Sequence, residues 1–419
     1  MVSRLNTVNR HFAKDTSYNG GQVGPKRDDD VVIIGMARTA MTRAKRGPQA
    51  TTGLESMLKP CLQAVAQQSG INKALVEDVV IGNVLNPGSA ATQARMAMFM
   101  AGYPETTCTT GINRLCSSGL QAVATIANSI RAGQISVGIG GGFESMSNAV
   151  MSDQVNPNLL GDEVFECEPA NNCLMPMGIT SENVAAEFGV DRAAQDQLAF
   201  ESHQKAHAAQ QAGLLQAEIT PYETVMKDKD GNETKVMVNK DDGIRPTTTV
   251  AGLGKLKAAF QKGGTTTAGN SSQVTDGASC VLLARRDVAV ANGCRIIGRI
   301  VGFAVAGVPP KVMGIGPAFA IPAALQNCGL GINDIDIFEV NEAFASQATY
   351  CVNKLGIPKA KLNPKGGAIA LGHPLGMTGS RMICTLMSEL ERTNKKYGVV
   401  SMCIGTGMGA AGVFERESA

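Results

Sequence analysis

The sequence predicts an α/β protein made of two repeated βαβαβαββ halves with an insertion between strands four and five of the first, and three observations lead there. Strand-like and helix-like segments alternate at short intervals, the same order of elements occurs twice, and between about 150 and 265 the composition turns charged, amide-rich and full of turns. Such alternation indicates parallel strand pairing with helices packed on the sheet.

The first half opens on an apolar strand at 31–36, followed by a helical pattern at Leu54, Met57, Leu58, Leu62 and Val65. Then come a strand at 79–81, a helix near 91–101 and a strand at 108–112. A helix carrying Leu120, Val123, Ile126, Ala127 and Ile130 on one stripe precedes a strand at 135–139, and a strand at 278–285 closes the half; the stripe is the apolar face of an amphipathic helix. The second half repeats the order with strand 295–305, a helix near 317–329, strand 335–340 and a helix over 342–355. An extended 361–364, a helix over 379–391 and strands 398–404 and 410–415 finish the chain. In each half a Gly-rich turn is expected after the fourth strand, Gly140 to Ser147 and Gly405 to Gly409.

The domain division that follows is a polar tail at 1–30, an N-terminal half at 31–150 plus 266–292, an inserted loop domain at 151–265 and a C-terminal half at 293–419. The insertion holds an amphipathic helix over 191–211 and the basic stretch 227–240; long insertions in α/β folds commonly act as lids or binding loops.

Composition excludes several classes. A net charge of +2 with both signs interspersed argues against nucleic-acid and membrane-surface binding, and no apolar run approaches the roughly 20 residues of a membrane span. The 11 cysteines are odd in number, irregularly spaced and free of C-x-x-C pairs, which disfavours a disulfide scaffold or a zinc site and fits a reducing compartment.

Four segments carry chemistry. Cys116, in Asn113-Arg114-Leu115-Cys116-Ser117-Ser118-Gly119, sits where an extended segment turns into a helix. Unpaired N–H groups and the positive dipole end there favour thiolate over thiol; the competing reading is a buried structural cysteine. His373, in Gly372-His373-Pro374-Leu375-Gly376-Met377-Thr378-Gly379, is framed by Gly and Pro in a stiff turn suited to a positioned base. It occupies the place in the second repeat that Cys116 holds in the first. Of the other histidines, His203 and His207 lie one helical turn apart on a charged helix, a solvated face or a metal pair lacking a third ligand, and His11 is in the tail. Cys403-Ile404-Gly405-Thr406-Gly407-Met408-Gly409 offers backbone N–H groups to a developing oxyanion, with Cys403 either core packing or a proton carrier. Asn341-Glu342-Ala343-Phe344 follows a strand, at the end where open α/β sheets bind ligands.

At these segments the sequence resembles the thiolase family, over about 30–416, in the stretches N-R-x-C-S-S-G, N-E-A-F, G-H-P-x-G-x-T-G and C-I-G-T-G-M-G. It is most similar to the peroxisomal 3-ketoacyl-CoA branch. The resemblance implies the thiolase fold, a layered α/β/α/β/α core of two repeated halves with an inserted loop domain, in a homodimer. It implies thiolytic cleavage of 3-ketoacyl-CoA by CoA in fatty acid β-oxidation, with CoA a substrate and neither cofactor nor metal. Cys116 would be the nucleophile, His373 its activating base, and Cys403 the acid/base that moves the α-proton. The thioester oxygen of the acetyl half would be held by His373 and a water positioned by Asn341; the N–H groups of Cys116 and Gly405 would hold the tetrahedral oxyanion. Arg245 resembles the arginine that meets the nucleotide end of CoA, though a surface charge is the plainer reading. Ser272 resembles a hydrogen-bonding residue on the pantetheine loop, and Met177 and Phe344 would line the acyl pocket. The chain departs from the family at Leu115, where Gln is common, at Met377, and at Pro176-Met177-Gly178, which lacks the His of biosynthetic acetoacetyl-CoA thiolases. That last departure favours the degradative branch over the biosynthetic alternative; a ketoacyl synthase or a catalytically dead CoA or lipid carrier fits less well.

In the tail, Arg4-Leu5, five residues, then His11-Phe12 is similar to the amino-terminal peroxisomal targeting signal. Arg4, Leu5, Val8, His11 and Phe12 would share one helical face. Peroxisome or glyoxysome is the expected location, and a peroxisomal import receptor a partner. A mitochondrial presequence is the rival, since the first 14 residues hold no acid.

Overall fold

The computed structural model describes residues 23–228 and 230–417; the targeting motif at 4–12 lies outside them. Strands β1 (Val31–Arg38), β2 (Asp78–Gly82), β3 (Cys108–Ile112), β4 (Val137–Ser145) and β5 (Thr275–Arg285) stand in the order β3-β2-β4-β5-β1. In the second half β6 (Gly298–Gly307), β7 (Ile337–Val340), β8 (Tyr397–Ile404) and β9 (Met408–Arg416) stand as β7-β8-β9-β6. Leu362 makes a parallel bridge to Phe338 of β7, as β3 pairs in parallel with β2. Taking that bridge as a third strand, both halves read 3-2-4-5-1, so the repeat expected from element order is present in the topology. The expected extension at 361–364 shrinks to this bridge because a 3-10 turn over Lys359–Lys361 precedes it and Asn363 turns away at φ 40. Parallel pairing is confined to the first strands of each order; β4–β5, β5–β1, β8–β9 and β9–β6 are antiparallel.

Alternation along the strands builds the layers. Val32 and Ile34 face an outer core with Leu58 and Leu62 of α1 (Leu54–Ser69) and Ala94 and Met98 of α2 (Ala91–Met100). Val31 and Ile33 face the opposite way, onto α3 (Ser118–Arg131) and α8 (Leu375–Arg392). Residues of β8 share this divide: Val400 and Met402 meet α3 and α8, while Val399 faces α6 (Pro317–Cys328) and α7 (Ala345–Leu355). Helix pair, sheet, helix pair, sheet and helix pair thus stack as five layers, each fully buried Leu, Ile or Val contributing about 1.5–3 kcal/mol.

The central pair, α3 and α8, makes contact backbone to backbone. A Cβ on Gly379 would lie 2.3 Å from the Leu120 nitrogen, and one on Gly119 would lie 2.6 Å from the Gly376 oxygen. The glycines expected to form a turn at 140–147 have a related purpose. Gly140 and Gly142 lie inside β4, which runs on to Ser145, because helix backbone passes too close for any side chain: a Cβ on Gly142 would lie 1.9 Å from the Gly376 oxygen.

The segment between β4 and β5 packs on the second half, with α4 (Met177–Phe188) and α5 (Arg192–Gln211) against α7. It is tied down by buried charge: Arg38 pairs with Asp241 at 2.9 Å and Glu218 at 3.2 Å. Residues 24–30, placed in the tail by sequence, are held on the fold. Arg299 donates to the Gly24 carbonyl, Arg286 donates to the Arg27 carbonyl, and both pair with Asp30.

Candidate active site

Cys116 sits on a strained elbow. Leu115 has φ 47, a conformation costing a non-glycine residue about 1–3 kcal/mol. Local hydrogen bonds hold it: Leu115 N–H donates to Asn113 Oδ1 at 2.8 Å, Arg114 N–H donates to Ser118 Oγ at 2.9 Å, and that hydroxyl donates to the Leu115 carbonyl at 2.6 Å. The chain then enters α3 at Ser118 with the thiol buried at the helix start. The backbone N–H groups of Gly405 and of Cys116 itself favour the charged form of the sulfur. Burial nevertheless dominates and pushes the thiol up to about 11, with the negative charge of Glu144 acting in the same sense. The helix terminus does not, as the sequence suggested, leave a resting thiolate; deprotonation requires a base.

His373 supplies a suitable one. Its turn is fixed by its own N–H, which donates to the Gln273 carbonyl at 2.9 Å. Gly372, at φ 107, permits the bend; a Cβ there would also lie 2.4 Å from Thr275 Cγ2. Nδ1 lies 2.6 Å from Thr378 Oγ1, whose hydroxyl donates to the Pro374 carbonyl at 3.0 Å. The hydroxyl proton being committed, Oγ1 accepts from Nδ1–H, and Nε2 keeps its lone pair. Nε2 faces Asn341 Nδ2 at 3.3 Å. Burial, aided by the Arg381 guanidinium, depresses the imidazole to about 3, so it rests neutral with a free lone pair, and its cation needs a partner charge when a proton arrives.

Cys403 is fully buried near the end of β8. It does not line the cavity that Cys116 and His373 share but packs with Met313, Ala343 and Phe344 of its wall, and negative charge on Cys116 opposes its ionisation. Burial raises this thiol well above the ordinary range, leaving a neutral proton donor. Thr406 at φ 65 and Gly407 at φ 92 form the turn that returns the chain to β9 and presents the Gly405 N–H. Asn341 is buried directly after β7, and its Oδ1 has no partner among the described residues.

Cys116 and His373 line one cavity of about 690 Å³, shared with Ser272, Met177 and Phe344. Its walls are mostly apolar, including Met146, Met175 and Met313. Arg245 is exposed and is not among the lining residues; its N–H donates to His203 Nδ1 at 3.2 Å. His203 was expected on a solvated face, but the Arg245 loop covers it. Burial and the Arg245 charge depress it to about 4. Among the described residues no group of three His, Cys, Asp or Glu side chains could hold a metal, and no helix is long and apolar enough to cross a membrane.

Sequence reasoning missed Thr378, which fixes the imidazole, and Glu144, a buried acid at the end of β4. The signal for Glu144 was a lone carboxylate ending an otherwise apolar, Gly-rich strand.

Comparison with known proteins gives a consistent picture. The thiolase N-terminal domain model matches residues 31–287 and the thiolase C-terminal domain model residues 294–416. The chain is 55% identical over 423 residues to 3-ketoacyl-CoA thiolase B, peroxisomal, of Rattus norvegicus, covering 99% of each chain. It is 54% identical to 3-ketoacyl-CoA thiolase 2, peroxisomal, of Arabidopsis thaliana, covering 93% of this chain and 84% of that one. Among solved structures, the dimeric peroxisomal thiolase of Saccharomyces cerevisiae superposes with a TM-score of 0.86 at 46% identity, covering 94% and 99% of the two chains. Human mitochondrial 3-ketoacyl-CoA thiolase in complex with CoA superposes with a TM-score of 0.83 at 35% identity, covering 93% and 98%.

Proposed function

The chain belongs to the thiolase family, and from that premise we propose that it cleaves 3-ketoacyl-CoA with free CoA, giving acetyl-CoA and an acyl-CoA two carbons shorter, in peroxisomal β-oxidation. One observation carries the reading: a buried thiol at a helix start shares an apolar cavity with a neutral imidazole, and a second buried thiol packs behind that cavity's wall.

His373 Nε2 takes the Cys116 proton, and the sulfur attacks the 3-keto carbon. The N–H groups of Cys116 and Gly405 hold the oxyanion, each such donor stabilising it by roughly 2.7–4 kcal/mol. Cleavage of the C2–C3 bond expels the enolate of acetyl-CoA, whose oxygen is held by the Nε2–H of His373 and a water positioned by Asn341. Cys403 gives its proton to the enolate carbon. The resulting Cys403 thiolate takes the proton of incoming CoA, whose sulfur attacks the acyl-enzyme. Cys116 leaves as thiolate and recovers its proton from His373, which closes the cycle.

Met177 and Phe344 would flank the acyl chain, with the ring of Phe344 edge-on to Phe260 at 6.1 Å. Ser272 would meet the pantetheine arm, and Arg245 the nucleotide end of CoA from outside the cavity. Likeness to a dimeric thiolase supports a homodimer, and the peroxisomal relatives support import through the tail motif. Brief exposure to 3-ketoacyl-CoA without free CoA, followed by mass spectrometry, tests the core of the reading: the acyl group is expected on Cys116, and acylation elsewhere or nowhere overturns it. Activity confined to C4 substrate, with none on C12, would reject the degradative assignment.

A further inference from the structure

The repeat predicts where to look. In the second half Asn341 directly follows β7, and Cys403 stands two residues beyond Ser401, the partner of Val340. In the first half Asn83 directly follows β2, and Glu144 stands two residues beyond Gly142, the partner of Gly82. Glu144 is therefore the topological counterpart of Cys403, as Cys116 is of His373. It is fully buried and meets four N–H donors: Asn83 Nδ2 at 3.0 Å, Val84 N–H at 3.0 Å, Leu85 N–H at 3.2 Å and Gly376 N–H at 2.8 Å. Two carboxylate oxygens have about four acceptor sites, so these donors saturate the ionised group. Burial, the larger effect, raises the acid to about 7, and the donors oppose it.

These donors lead to the two reacting side chains. Gly376 lies in the first turn of α8, three residues beyond His373, and Pro374, the residue capping that helix, offers no side-chain acceptor. Glu144 thus caps α8 from the other half, a favourable place for negative charge. In the opposite direction, the Val84 carbonyl accepts from Asn113 Nδ2 at 3.1 Å, and Asn113 Oδ1 accepts from the N–H of the strained Leu115 at 2.8 Å. One carboxylate holds both the elbow of the nucleophile and the turn of the base.

We propose that Glu144 is a positioning residue that sets the separation of Cys116 and His373 across the boundary between the halves. The proposal rests on the catalytic reading above. It further requires that the carboxylate bear charge beside the sulfur, whose other ionisable neighbours are His373 on its turn and Cys403 on β8. Two substitutions separate charge from reach: Glu144→Gln keeps the length and removes the charge, and Glu144→Asp keeps the charge and withdraws it by one methylene.

The full-length protein would be assayed for kcat and KM in thiolysis, and for the pH dependence of Cys116 alkylation by iodoacetamide, which needs no substrate. Displacing reacting groups by about 1 Å costs on the order of 100-fold in rate, so both variants should lose about that much kcat with KM nearly unchanged. The alkylation midpoint should fall by about one pH unit in Glu144→Gln, by loss of a neighbouring negative charge, and stay in place in Glu144→Asp. If either variant fails to fold, Asn113→Ala cuts only the arm to the elbow and should lower kcat by itself. Folded variants with kcat within twofold of the parent, or alkylation midpoints that do not separate Gln from Asp, overturn the proposal. A parent enzyme that is alkylated at Cys116 yet has no thiolysis would instead sink the catalytic reading.

Discussion

Thr378→Val tests how the base is prepared. The hydroxyl accepts from Nδ1–H of His373 at 2.6 Å and donates its own proton to the Pro374 carbonyl. Valine fills the same space without an acceptor, leaving a buried N–H unpaired at a cost of about 1–3 kcal/mol. The ring can evade that cost by moving its proton to Nε2, but Nε2–H then points at the Asn341 amide and cannot take the Cys116 proton. It can also rotate, which displaces the base. Either escape removes the competent state, and 1–3 kcal/mol corresponds to about 5- to 150-fold in population. The kcat/KM of thiolysis should fall within that range, and alkylation of Cys116 near neutral pH should slow in parallel. Thr378→Ser, which keeps the acceptor, should recover most of both. A valine variant within twofold of the parent, or a serine variant no better than valine, would refute the assignment of the tautomer.

Other expectations follow from the same geometry. Cys116→Ala should abolish thiolysis by loss of covalent catalysis, leaving the melting temperature near that of the parent; any residual turnover above background speaks against the nucleophile. Cys403→Ala should still transfer an acyl group from a simple acyl-CoA to Cys116, while exchange of the acetyl-CoA α-proton, followed by NMR in heavy water, stops. Gly379→Ala forces a Cβ to within 2.3 Å of the Leu120 backbone, so it should destabilise the protein by about 1–3 kcal/mol by overpacking and lower kcat further by parting α3 from α8. The buried neutral histidines set an acid limit. His203 and His373 are depressed to about 4 and about 3, so below pH 6.5 the unfolded chain binds more protons and stability falls with pH, by about 1.4 kcal/mol per unit for each group. His203→Asn, whose amide oxygen can take over the bond from Arg245 N–H, should flatten the fall in melting temperature between pH 6.5 and 5; an unchanged slope would place the titration elsewhere.

The repeat was legible because element order survives sequence divergence. Strand β3 and the bridge at Leu362 share no residue pattern, yet both precede the helix that carries a reacting side chain at its start. Cys116 and His373 were legible as candidates because each stands where an extended segment breaks into a helix among Gly, Pro or short polar residues, although the strained residue itself, Leu115, is none of these. Glu144 was not, because its partners lie far away in sequence, Gly376 standing 232 positions on. Thr378 was not, although His373 and Pro374 lie only five and four residues back, because only the folded turn shows which ring nitrogen meets its hydroxyl. The Gly140–Gly142 string misled for a related reason. Glycine marks a turn and a close helix contact alike, and only the path of α8 distinguishes them. Burial also reversed the expectation for Cys116, since the cost of desolvating a thiolate outweighs the N–H groups at the helix start.

Duplication explains why this site divides its chemistry between the halves. Each half offers the same three positions: the residue after the second strand, the elbow before the central helix, and the end of the fourth strand. In the second half these are Asn341, His373 and Cys403, an amide, the proposed base and the proposed acid. In the first they are Asn83, Cys116 and Glu144, of which Cys116 lines the cavity, as His373 does among the second three. Burial, the larger effect, raises the carboxylate at the place of Cys403 to about 7, and the four N–H contacts it accepts draw it back toward the charged form. As an acceptor it can hold the α8 terminus where a thiol cannot. A position that need not react is thus available to brace the two that do, across the close glycine contact of α3 and α8.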